Sequence, residues 1–93
     1  MTAAMLNRIT NRIKEDWLVN FASKLINIPS FKTEESDIAK FLASNFNRWG
    51  YEVDLQEVDP GRYQTIATLK GTGGGNTLML NGHIDMDPLS MGW

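Results

Sequence analysis

At 93 residues, with 42% hydrophobic and 22% charged side chains and a formal net charge of −2, the chain is composed like a soluble protein of at most one domain. Its apolar content excludes wholesale disorder, and the mixed charges leave no basic stripe for nucleic acid and no polybasic patch for anionic lipid. Cysteine is absent, so there is neither a disulfide framework nor a thiolate zinc site, and any metal must rest on nitrogen and oxygen ligands.

No apolar run approaches the ~18 residues that span a bilayer, so no membrane partner is expected. The opening "MTAAMLNRITNRIKEDW" carries Arg8, Arg12 and Lys14 but no apolar h-region, which excludes a secretory signal. An amphipathic targeting peptide is the weaker reading of this stretch, because the apolar spacing runs on unbroken into the next turns. The expected location is cytoplasmic.

Met5 or Leu6, Ile9, Ile13, Trp17, Phe21 and Leu25 recur at three- and four-residue steps, which predicts one helix running to about Asn27. It must end before Pro29, since the residue preceding a proline is pushed out of the α region. "IPSFKTEES" is then a connection, with Thr33 as the expected N-cap and Glu34, Glu35 and Asp37 in a first turn that favours negative charge. The second predicted helix turns Ile38, Phe41, Leu42, Phe46 and Trp49 inward and stops at Gly50, a natural residue just past a helix end.

After Gly50 the period changes to two. Tyr51, Val53 and Leu55 alternate with Glu52, Asp54 and Gln56, "DPGR" signals a turn, and "YQTIATLKG" reads as a second strand of a hairpin. "GTGGGN" invites a phosphate-binding reading, but a dinucleotide fingerprint needs a helix after its glycines and "TLML" reads as a strand. The glycines are therefore expected to form a turn between strands. Leu78, Met79 and Leu80 are consecutive and apolar, as in a buried central strand covered on both faces. The expected fold class is α/β: two helices, a strand hairpin and a buried central strand, the N-terminal part of a layered domain.

His83, the chain's single histidine, lies two residues before Asp85 where that third strand ends. On a pleated strand such residues share a face, so an imidazole and a carboxylate emerge together beyond a strand terminus, the usual place for ligands in open α/β sheets. A metal-ligating histidine commonly donates its second ring N–H to a carboxylate, which fixes the tautomer. Judged on this pair alone, a packed or surface histidine is the commoner case. Asp87 before Pro88 reads as a turn, and Met86 and Met91 as packing residues.

"LMLNGHIDMDP" resembles the first metal motif of the dinuclear zinc aminoacylase and carboxypeptidase family, which includes acetylornithine deacetylase, succinyl-diaminopimelate desuccinylase and carboxypeptidase G. The matching positions are the apolar Leu78 to Leu80, Gly82, His83, Asp85, Met86 with Asp87, and Pro88. Asp87 departs from the pattern, which is usually apolar there. The upstream order is similar too: a helix ending in "INIPS", a second after "TEES", and "WGYEVDLQEV" before the motif strand.

The resemblance implies a layered zinc-peptidase-like fold and a metal-dependent hydrolase cleaving amide bonds of N-acyl amino acids or small peptides. The deacetylase and desuccinylase branch is favoured. It implies His83 as a zinc ligand and Asp85 as the carboxylate that orients it, in a site that holds two zinc ions when complete, with cobalt as an alternative metal. The family's remaining ligands and general base lie further along the chain than Trp93, so residues 1 to 93 are expected to be the N-terminal portion of a catalytic domain, inactive by themselves. Two rival classes remain: a non-catalytic binding or self-assembly module, whose unpaired strand edges would favour a homo-oligomer, and a different metal-dependent hydrolase presenting the same pair.

Overall fold

The computed structural model describes residues 1 to 88, so Met91 lies outside the described residues. The chain is mixed α/β: α1 (Ala3–Thr10), α2 (Glu15–Ile26), α3 (Ser36–Arg48), then β1 (Glu52–Asp59) and β2 (Arg62–Thr68). The strands pair antiparallel, with Val53 opposite Ala67, Leu55 opposite Thr65 and Glu57 opposite Tyr63. A register shift between Glu57 and Asp59 precedes the turn, where Gly61 takes a φ of 73°.

The two-residue rhythm of β1 works as predicted. Val53 and Leu55 are half-buried on the face that meets α3, while Glu52, Asp54 and Gln56 are exposed. Ile38 and Ala39 are buried on α3, and the Thr65 hydroxyl donates to the Ala39 carbonyl at 2.6 Å, fastening β2 to the helix. Asn45, also buried, donates its side-chain amide to the Phe41 carbonyl at 2.8 Å, which satisfies a polar group on the core side.

The end of α3 follows from its sequence. Tyr51 N–H donates to the Phe46 carbonyl at 3.0 Å and Gly50 N–H to that of Asn47 at 3.1 Å, with Gly50 at a φ of 89°. This is the paired closure that a glycine past a helix end permits. Its start differs from expectation. Thr33 is not the N-cap; the helix begins after Glu35, and Thr33 sits in the preceding turn at a φ of 78°. The Glu35 side chain points away from the helix amides to other partners, so the expected cap is replaced by a tertiary contact.

The expected single first helix is broken into α1 and α2. Thr10 turns its hydroxyl back onto the carbonyls of Leu6 and Asn7, the amides of Arg12 and Ile13 close tight turns onto Ile9 and Thr10, and Lys14 is extended. Thr and Asn are weak helix formers, and none of α1 is buried, so no packing offsets that weakness. In α2, Trp17 stacks on Phe21 with centroids 5.2 Å apart, and Phe21 meets Phe41 and Trp49 at 5.9 and 5.3 Å. Phe46 meets Trp49 at 5.5 Å and continues the row to Tyr51 at 5.1 Å, so rings from α2, α3 and the link into β1 form one cluster. Each such pair adds about 0.5–1.5 kcal/mol beyond area burial.

The expected buried central strand is corrected as well. Leu78, Met79 and Leu80 are more than four-fifths exposed and belong to no strand. A strand needs a neighbour for its backbone N–H and C=O groups, and among the described residues the sheet has two strands, neither of them beside this segment. Downstream the chain returns to the fold: Phe31 and Met86 form a parallel bridge, with Met86 N–H donating to the Ser30 carbonyl at 2.8 Å.

Candidate functional site

That bridge holds the segment of interest. Ile84, Asp85 and Met86 are half-buried, whereas the His83 side chain is 87% exposed. His83 Nδ1 lies 3.0 Å from the Asp85 carbonyl oxygen and 3.2 Å from Asp85 Oδ1. A carbonyl and an ionised carboxylate only accept, so Nδ1 is the nitrogen that carries the proton. Nε2 then presents its lone pair to solvent. The i, i+2 pair thus shares one side of the backbone although no strand is formed.

Glu35 and Arg62 form a further charged pair. Glu35 is 5% exposed, and its carboxylate accepts from Arg62 Nε at 3.2 Å and Arg62 Nη2 at 2.9 Å, and from the Thr33 amide at 2.9 Å. These bonds, the Arg62 fork first, hold the Glu35 carboxyl at about 2, well below its ordinary 4.5. Arg62 is raised in turn, chiefly by Glu35, with the charges of Asp59 and Asp85 contributing. Ser30 is also buried, and its hydroxyl has no hydrogen-bond partner among the described residues.

Sequence reasoning placed Glu35 as an ordinary first-turn acid and gave Arg62 no role. Their separation of 27 positions lies beyond any local period, so only a basic residue at a strand start hinted at the pairing. Asp87 is exposed and adds nothing to the pair. The glycine-rich stretch is likewise exposed, and an added Cβ at Gly71, Gly73, Gly74 or Gly75 would meet no atom within 4 Å, so no close approach explains these glycines.

Among the described residues no group of three or more His, Asp or Glu side chains could hold a metal ion. The donor set fits one coordination position, the Nε2 of His83, and not a complete site. A concavity of about 580 Å³ lies instead at the junction of α1 and α2, lined by Ile13, Lys14, Glu15, Asp16, Val19 and Asn20, far in chemistry from the His–Asp pair.

Against known proteins, the chain is 35% identical over 75 residues to an acetylornithine deacetylase from Vibrio vulnificus (strain CMCP6). The match takes in 81% of this chain but 19% of that enzyme's length. No protein-family profile matches, and no solved structure matches. No helix among the described residues is long and apolar enough to cross a membrane.

Proposed function

We propose that this sequence belongs to a metal-dependent amidohydrolase of the deacetylase type, acting on N-acyl amino acids or small peptides. His83 serves as one ligand to a zinc or cobalt ion, and Asp85 fixes its tautomer. One observation carries the reading: Nδ1 of the only imidazole is committed to Asp85, which frees Nε2, at an exposed position, for a Lewis acid. The similarity to a deacetylase supports the same class.

The chain's own contribution is orientation. Asp85 offers both a carboxylate and a carbonyl to Nδ1, so the ring is held against rotation from two directions. The remaining donors, the general base and the oxyanion-stabilising groups belong, in this proposal, to residues of a longer polypeptide, as the 19% coverage of the relative accommodates.

The test is an assay of the longer protein, loaded with zinc or cobalt, against N-acetyl and N-succinyl amino acids and dipeptides. His83→Ala is expected to abolish turnover, and Asp85→Asn to reduce metal affinity or activity by about 10- to 100-fold. Full turnover by the His83→Ala protein would overturn the ligand assignment.

A further inference from the structure

We propose that the Glu35–Arg62 pair is a positioning device: it sets the turn at residues 31–34 that anchors Met86, and thereby fixes where the His83–Asp85 pair stands. Three observations converge on it. Glu35 Oε1 accepts from the Thr33 amide and from Arg62 Nη2, both at 2.9 Å, so one oxygen joins the turn to the start of β2. The turn is closed by Glu34 N–H donating to the Phe31 carbonyl at 2.7 Å, with Thr33 held in the left-handed region that a β-branched residue rarely adopts.

Immediately before this turn, the Ser30 carbonyl accepts from Met86 N–H at 2.8 Å, and Phe31 bridges Met86. This contact ties residues 76–88 to the connection between α2 and α3.

A pair that merely stapled α3 to the hairpin would not need the Thr33 amide. Recruiting it joins the pair to a strained turn, and a strained conformation persists only where its surroundings over-determine it. The bidentate fork also constrains the plane of the carboxylate, so the turn is fixed in direction as well as distance. Asp85 is one residue from the anchored Met86, and His83 three, so a loosened anchor would reach both members of the pair.

The pair holds this geometry whether or not His83 binds a metal; its worth to catalysis rests on the function proposed above. The single histidine supplies the readout. In the 93-residue chain labelled with ¹⁵N in the imidazole, at about pH 8.5 where an ordinary imidazole is neutral, wild-type His83 is expected to be mainly the Nδ1–H tautomer. Arg62→Met and Glu35→Gln should shift it toward the mixture of a free imidazole and speed Met86 amide exchange by about tenfold or more, while near-ultraviolet dichroism of the aromatic cluster reports that the fold persists.

Arg62→Lys keeps the charge but not the fork. It is expected to move both readouts in the same direction and less far, and it decides the matter should the harsher variants fail to fold. Lys70→Ala, which removes the exposed pair with Glu52, should change neither readout. A wild-type tautomer and wild-type Met86 exchange in folded Arg62→Met, Glu35→Gln or Arg62→Lys protein would overturn the proposal, as would a free-imidazole tautomer mixture in the wild type. Neither readout depends on hydrolase activity, so failure here is distinguishable from failure of the functional proposal.

Discussion

Thr33 occupies the left-handed region, with an exposed side chain that makes no hydrogen bond among the described residues. For an L residue that conformation costs about 1–2 kcal/mol, and glycine removes the cost while adding about 0.4–1 kcal/mol of unfolded-state entropy. Thr33→Gly should therefore stabilise the protein by about 0.5–1 kcal/mol, a rise in Tm of a few degrees for a domain of this size. The bond to Glu35 uses the backbone amide and survives the substitution. A lower Tm for Thr33→Gly would show that the threonine side chain has an unrecognised partner. Glu35 makes a different prediction. Its folded value of about 2 lies below the ordinary 4.5, so the native state takes up that proton less readily than the unfolded chain. The stabilisation is whole above about pH 4.5 and is lost as pH falls through about 2. The gap in Tm between wild type and Glu35→Gln should be constant near neutrality and close between those values; a gap independent of pH would remove the carboxylate from the account. Neither residue was legible from composition or spacing. The strain at Thr33 arises from a turn no local pattern announces, and the partner of Glu35 lies 27 positions away. His83 and Asp85 were legible as a pair, because two-residue spacing brings side chains to one side wherever the backbone is extended.

Among the elements, α3 and the hairpin could be read directly, since their periods are local and their stop signals, Gly50 and "DPGR", have physical causes. An added Cβ at Gly50 would meet no atom within 4 Å, so a substitution there tests conformation alone. Gly50→Ala should destabilise by about 1 kcal/mol, seen as a lower urea midpoint with an unchanged slope. A neutral result would mean that the helix end can adopt another closure. The first helix and the third strand were over-read for a common reason. Apolar spacing reports which face wants cover, not whether cover exists. Ile9, Ile13 and Trp17 keep helical steps across a break at Asn11 to Lys14, and Leu78 to Leu80 look central while standing exposed.

At the scale of the molecule these uncovered surfaces have a consequence. Met5, Leu6 and Ile9 on α1, and Leu78, Met79 and Leu80, are all substantially exposed, and among the described residues the two-stranded sheet leaves both outer edges unpaired. Exposed apolar patches and free strand edges promote association. The isolated 93-residue chain should therefore show a sedimentation-average mass that rises with concentration, and Met79→Lys with Leu80→Lys should blunt the rise. Strict monomers at high concentration would show that these residues find cover within one copy.

The bond from Met86 to the Ser30 carbonyl also dictates an order of events. More than half of the polypeptide lies between its two ends, so closing that loop is entropically dearer than winding α3 or folding the hairpin. The helices and hairpin are therefore expected to settle first, and the His–Asp segment to dock onto a surface already in place.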